Sequence, residues 1–407
     1  MRSDARNIKD MAEGEPVKKK IKVELPDVFE NFLSDSHAKR RLKFGLDIVK
    51  CGAQHCIFRS CKIKRTNLED ACSFTKAYFR ESDEMPDVDQ MFTFGIVFRK
   101  GVDKLSAFID SEPNTPQIPE NEEIQAAFKR LFLYFKNMEN EYKALKEISK
   151  TSKEWPWTLV LAQHLFSKLA PSSSYLYDIG AAYDTSEGCP CVGHDNLCGQ
   201  QGDTSFGWES GWHGRTDIIM ADLPIINVCE IHREEGGDLP RVSSSSSVAS
   251  SISSLSEKES LIAIEVKKND LFTANDLCQI FAETITFSFL KNKENPDVTL
   301  IPSIAVGKKT FTVTMYDSKE DVFLQGGDVS LFAFDAITPE AIVAIWLTLN
   351  YKLFGTGVLD SMDRSGLHNQ IDVKSLQTAV KAPCKKNDPG WIGIRSWQKT
   401  LISARKK

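Results

Sequence analysis

The chain of 407 residues has no apolar run approaching the roughly 18 residues of a membrane helix. Its richest stretch, AIVAIWLTLNYKLF from Ala341, ends in polar residues and suits a buried helix, so no membrane span is expected. Neither charge is in large surplus: 51 basic against 56 acidic residues leave a formal net charge of -5. That excludes a histone-like global attraction to nucleic acid but leaves local patches open, because binding depends on where charge sits. The opening MRSDARNIKDMAEGE lacks the apolar core of a secretory signal, and an intracellular protein is expected. Ten cysteines lack the spacing of a small disulfide scaffold, in a chain long enough to build a core without staples, so reduced thiols are expected. Internal repeats are also missing.

What is present begins with PVKKKIKVE, where Lys18, Lys19, Lys20 and Lys22 form a compact basic cluster in a tail, residues 1–26, that reads as disordered. The cluster resembles a monopartite nuclear import signal, which implies an import receptor as partner and the nucleus as location. A solvated charge run in a cytoplasmic protein is the plainer alternative. Residues 27–121 form an N-terminal region of unreadable role, with short candidate strands such as MFTFGIVFRK from Met91. The proline- and acid-rich SEPNTPQIPENEE closes it as a linker or surface loop.

Helical spacing follows in EEIQAAFKRLFLYFKNMENEYKALKEI, with Ile124, Phe128, Leu131, Leu133, Phe135 and Met138 as its apolar positions. A second helix, TLVLAQHLFSKLA, starts near Thr158 and stops before Pro171, and its His164 reads as a packed or surface histidine. GRTDIIM from Gly214 and LPIINVCEI, residues 223–231, read as strands turned back on each other through ADLP. The serine-rich insert at 234–260 has little to bury and reads as a mobile surface excursion. Beyond it come the strand LIAIEVKK (261–268), a helix over 273–292, two strands joined at 307–309 and a further candidate strand in DVSLFAFD. A further helix opens on Thr338 as cap and Pro339 at its first position. The expected class is α/β: a mixed sheet flanked by helices over 122–354, with a basic C-terminal extension over 355–407.

Side chains alternate along a strand, so Glu265 and Lys267 of LIAIEVKK share one face while Val266 joins Ile262 and Ile264 on the buried one. Polar residues at the end of a core strand sit where open α/β sheets collect ligands. If GRTDIIM pairs beside LIAIEVKK, Asp217 and Glu265 converge on one divalent cation, with the Val266 carbonyl as third ligand. Mg²⁺ or Mn²⁺ suits such hard oxygen donors. The metal would activate a water in line with a phosphodiester, and the Lys267 ammonium would stabilise the charge that develops.

GRTD, then IAIEVKK, then a helix containing Gln279, resembles the PD-(D/E)XK nuclease superfamily, with the pattern of its lambda-exonuclease-like and Cas4-like branches. The resemblance implies a restriction-endonuclease-like core and metal-dependent nuclease activity on nucleic acid, with DNA the expected substrate. Asp217 and Glu265 would bind metal, Lys267 would be the catalytic lysine, and Gln279 would orient substrate or water. Arg215 and Thr216 stand where the family often has a proline, and the long separation of Asp217 from Glu265 requires the serine-rich insert to loop out. A catalytically inactive nuclease-fold protein, serving as a nucleic-acid or protein interaction module, is the main alternative. An unrelated α/β domain with an exposed Glu265–Lys267 pair is the third.

Other residues compete. Glu141, with Glu139 and Glu147 nearby, is the candidate for an extra helix acid, and His213 or Glu209 for a group assisting at the metal. In LPIINVCEIH, Glu230 and His232 share a face and could replace the Glu-x-Lys strand, although no lysine accompanies them. Cys189, Cys191, His194 and Cys198 are soft ligands of the kind zinc takes. Their C-x-C-x2-H-x3-C spacing is cramped for a paired-cysteine knuckle, and zinc is left open. Cys51, Cys56 and Cys61 read as plain thiols. Seven cations from Lys385 to Lys407 interleave with Trp391 and Trp397, a composition that suits phosphate contacts and base stacking as well as it suits a bare basic tail.

Overall fold

A computed structural model describes residues 27–82, 90–111, 116–148, 154–178, 188–191, 193, 195–202, 204–208, 210–220, 225–228 and 272–379. The import-signal-like tail, the serine-rich insert, LIAIEVKK and the basic residues from Lys385 onward lie outside them. Among the described residues the architecture is mixed α/β, a central sheet flanked by helices, and no helix is long and apolar enough to cross a membrane.

The α-helices among the described residues are α1 (Asp27–Ser34), α2 (Ser36–Cys51), α3 (Phe94–Val97), α4 (Arg99–Asp110), α5 (Glu122–Ile148), α6 (Glu154–Leu161), α7 (Ser167–Leu169), α8 (Ala274–Glu294), α9 (Pro339–Leu349), α10 (Tyr351–Phe354) and α11 (Val373–Ala379). The strands begin with β1 (Ile57–Ser60), β2 (Ile63–Thr66), β3 (Cys72–Ser73), β4 (Phe79–Glu81), β5 (Met91–Thr93), β6 (Tyr175–Tyr177), β7 (Gln200–Gln201) and β8 (Ser205–Gly207). They continue with β9 (Trp212–Arg215), β10 (Ile218–Met220), β11 (Ile225–Val228), β12 (Ile301–Val306), β13 (Thr310–Asp317), β14 (Val322–Gly326) and β15 (Val329–Ser330).

The main sheet runs β5-β1-β14-β13-β12-β11-β10-β6-β7, with β15 added to β13. β10 and β11 are antiparallel, β11 and β12 parallel, and β12 and β13 antiparallel. Parallel neighbours need a crossover, and here the chain passes through α8 between them. β12 and β13 are buried on both faces, and in β13, where threonines alternate with apolar residues, the buried Thr312 and Thr314 hydroxyls are hydrogen-bonded. The N-terminal region shares this sheet, because β1 pairs with both β14 and β5, and α2 packs on α9.

Local chemistry sets the helix ends. The Asn121 side chain accepts the Ile124 amide at the start of α5, Thr273 and Asp276 form a capping box on α8, and the Thr338 hydroxyl accepts the Ala341 amide with Pro339 at the first position of α9. α5 buries Ile124, Phe128, Leu131, Phe135 and Met138 as its spacing predicts, but Leu133 is exposed. Two residues after Leu131 a helix has turned about 200°, so both cannot face the core. MFTFGIVFRK is a strand only to Thr93, whose hydroxyl accepts the Ile96 amide and starts a helix at Phe94.

α2 and α9 approach closely because Gly45 has no side chain. A Cβ there would lie 2.6 Å from the Pro339 carbonyl carbon. Backbone cannot yield as a side-chain tip can, so Gly45→Ala is expected to destabilise the fold by about 1–3 kcal/mol, measured by urea unfolding.

Candidate functional site

Asp217 sits where the chain changes sheets. β9, ending at Arg215, belongs to a small sheet with β3 and β8, whereas β10, starting at Ile218, belongs to the main sheet. Thr216 is buried at this joint and Asp217 is half-buried beside it. The register Tyr177↔Ile218 continues one step further, and the Asp178 amide donates to the Asp217 carbonyl at 3.0 Å. Two carboxylates are thus cross-strand neighbours, an arrangement that is unfavourable without a cation. Arg215 supplies one: its Nη1 donates to Asp178 Oδ2 at 3.2 Å. Asp178 is an acid the sequence reading missed, because YLYDIG carries no motif and only strand register brings it to Asp217.

The expected neighbour of the Asp217 strand is replaced. β10 pairs with β6 on one side and with β11 on the other, through Ile218↔Ile226 and Ile219↔Ile225, so both of its edges are occupied. Side-by-side pairing of GRTDIIM with LIAIEVKK is therefore corrected at these residues, and the segment LPIINVCEIH takes the adjacent place. A short local hairpin closes at lower entropic cost than pairing across the serine-rich insert. Glu265, Val266 and Lys267 lie outside the described residues, as do Glu209, Glu230 and His232.

Gln279 lies in the first turns of α8, half-buried, and its Nε2 donates to Glu283 Oε1 at 2.9 Å one turn further along the same helix. α8 packs on β11, β12 and β13, so a single strand separates the Asp217 strand from β12, against which the Gln279 helix lies. The Thr284 and Thr314 hydroxyls meet at 2.6 Å, and the Ser288 hydroxyl donates to the Tyr316 carbonyl at 2.8 Å, fixing the helix on β13. His213 on β9 donates from Nδ1 to the Gly211 carbonyl at 3.0 Å.

A second constellation forms on the far side of β6. TLVLAQHLFSKLA is helical as expected, but its centre, Ala162–Phe166, widens into a π-helix, a feature often found at functional sites. There Gln163 and His164, consecutive and both buried, reach the loop 188–198. Gln163 donates to the Asn196 carbonyl at 3.0 Å, and its oxygen accepts the Cys198 amide and the Tyr175 hydroxyl, each at 3.0 Å. His164 Nε2 is 3.6 Å from Cys189 Sγ, and the ligand atoms of His164, Cys189 and Cys191 all lie within 4.8 Å of one another. On its other side, His164 Nδ1 meets Glu141 Oε2 at 2.8 Å. Glu141, expected as an extra acid for the Asp217 site, is engaged by this histidine.

The electrostatics of the cluster differ from group to group. Burial pushes the Cys189 thiol up to about 12. Burial opposes ionisation of Cys191 too, but the Asp195 amide, Cys189 and His164 together bring it below its usual value. Burial works against protonated His164, and its contacts with Glu141 and Cys191 outweigh that, raising it. Cys198, fourth in the sequence pattern, is exposed and accepts from Gln163 Nε2 at 3.7 Å, while His194 lies outside the described residues. No family model, curated protein or solved structure matches the chain.

Proposed function

We propose that the protein is a divalent-metal-dependent nuclease of the PD-(D/E)XK type, with DNA as its expected substrate and Asp217 as the anchoring metal ligand. The order of elements around Asp217 carries the reading. An acid at the start of one core strand is followed in the chain by an antiparallel neighbour, then by a helix bearing a glutamine, then by a strand parallel to that neighbour. The motif implies acid, metal strand, glutamine helix; among the described residues the strand beside Asp217 is β11, and the Glu265 strand lies outside them.

On this reading Mg²⁺ or Mn²⁺ is held by Asp217 and Glu265, with the Val266 carbonyl as a further donor. Asp217 and Asp178, both half-buried and cross-strand neighbours, put negative charge where a hard cation that keeps part of its water shell could sit. Such a metal, when bound, lowers the pKa of a coordinated water. The chain's own contribution is the Lys267 ammonium next to the scissile phosphate and the Gln279 amide on α8, poised to orient water or substrate.

A second assignment within the same function is favoured by one observation, the position of β11 beside β10. LPIINVCEIH would then supply Glu230 as the second carboxylate and His232 in place of the lysine. The rival function, an inactive fold that binds nucleic acid or protein, has no such observation in its favour.

The test is cleavage of single- and double-stranded DNA and RNA by the full chain with Mg²⁺ or Mn²⁺, and with EDTA. Metal-dependent cleavage lost in Asp217→Asn is the expected result. Equal cleavage by wild type, Asp217→Asn and Lys267→Ala would remove the enzyme assignment. Metal-independent binding without cleavage would favour the interaction module.

A further inference from the structure

We propose that His164, Cys189 and Cys191 hold a structural zinc ion that fastens the loop 188–198 to the helical layer. It rests on a different donor set from the nuclease reading and stands apart from it. Zn–S and Zn–N bonds of about 2.3 and 2.0 Å in a tetrahedron put donor atoms roughly 3.5–3.8 Å apart. The 3.6 Å between His164 Nε2 and Cys189 Sγ matches that spacing. All three side chains are buried, and both thiols are free. Soft sulfur with one imidazole selects zinc over the hard cations suited to Asp217.

The surroundings are those of a metal-binding histidine. Its Nδ1 is occupied by Glu141, which fixes the ring so that Nε2 faces the sulfurs; this carboxylate–histidine pairing accompanies zinc ligands generally. Lys168 Nζ lies 4.0 Å from the other Glu141 oxygen and balances its charge. The loop is wound to present both thiols: the Cys189 amide donates to the Asp195 carbonyl at 2.8 Å, and the Asp195 amide turns toward Cys191. The π-helix lets consecutive residues serve the same loop, Gln163 holding its backbone and His164 its sulfurs.

A Cys–His–Glu nucleophilic triad has the same three residue types, but Cys191 is only 2% exposed and Cys189 0%, so no substrate carbonyl reaches either sulfur. Two thiols also exceed what a nucleophile requires. Binding of Zn²⁺ replaces a thiol proton on each ligating cysteine that still carries one, and the two thiolates cancel the charge of the ion. These three side chains leave one tetrahedral position for a water or a further ligand. The ion would pin the loop between β6 and β7, the edge that carries Asp178 and borders Asp217.

Zinc in the purified full-length chain would be measured by mass spectrometry, and binding by titration of the metal-free protein with Co²⁺. One zinc ion per chain is expected, with a near-ultraviolet thiolate-to-cobalt charge-transfer band. Cys189→Ser and Cys191→Ser should each weaken that band, whereas Cys198→Ser should leave it at full strength. Glu141→Gln keeps all three ligands and should weaken metal binding by roughly 10–100-fold. The wild-type titration reads the site directly even where a cysteine variant fails to fold. Absence of the band in reduced wild-type protein, its persistence in the Cys189→Ser/Cys191→Ser double variant, or a Cys189–Cys191 disulfide in the native protein would overturn the proposal. None of these results depends on whether nucleic acid is cleaved.

Discussion

Asp217→Asn and Lys267→Ala are expected to impair cleavage strongly, in two different ways. Replacing the carboxylate of Asp217 with an amide removes the negative charge that holds a hard cation, so the main loss falls on metal affinity. Isothermal titration with Mn²⁺ should show much weaker binding, and the metal concentration needed for half-maximal rate should rise. Lys267 does not touch the metal on the proposed reading. Its removal should leave the Mn²⁺ isotherm in place and lower the rate at saturating metal by about 10²–10³-fold, as loss of one preorganised charge at a developing anion does. A fall in rate without a change in metal affinity for Asp217→Asn would remove it as a ligand. The strand that supplies the remaining groups is decided by the same measurements: full activity in Lys267→Ala with loss in Glu230→Gln and His232→Ala would transfer the chemistry to LPIINVCEIH, whose strand lies beside Asp217.

The difference between those two strands shows where sequence reasoning stops. Helix boundaries were legible because their causes are local: Thr273 with Asp276, and Thr338 with Pro339, fix the starts of α8 and α9 within three residues. The antiparallel turn between β10 and β11 was legible for the same reason. Which strand stands next to Asp217 is a choice between a short hairpin and a distant motif, and side-chain chemistry alone does not weigh closure entropy. The soft-ligand cluster was legible in part. Cys189 and Cys191 were grouped with His194 because those residues are neighbours in the chain, whereas His164 reaches them from 25 residues away. A signal was present: Gln163 and His164 interrupt the apolar run TLVLAQHLF, and a buried polar pair in a helix requires partners. Asp178 had no comparable signal, because its significance lies wholly in the register of β6 against β10.

Trp346→Ala is expected to cost about 3–5 kcal/mol, a large share of the roughly 5–15 kcal/mol that keeps a domain folded. Trp346 is fully buried at the junction of α9 with α5, its ring centroid 4.5 Å from that of Phe354 and 5.6 Å from that of Phe128. Its Nε1 donates to the Ala127 carbonyl at 3.0 Å, tying the two helices across 219 positions of sequence. Truncation to alanine removes the ring from both aromatic contacts and leaves a cavity that backbone at α5 and α9 cannot close. Trp346→Phe separates packing from hydrogen bonding: it keeps an aromatic ring and loses the indole donor, so about 1 kcal/mol plus a smaller cavity term is expected. Ala127 and Glu141 are both on α5, about four helical turns apart. Loosening α5 near Trp346 should therefore spare the Glu141–His164 contact, and Trp346→Phe should bind Co²⁺ as wild type does. A Trp346→Ala midpoint in urea equal to that of wild type, at unchanged slope, would mean that α5 and α9 do not depend on this side chain for their packing.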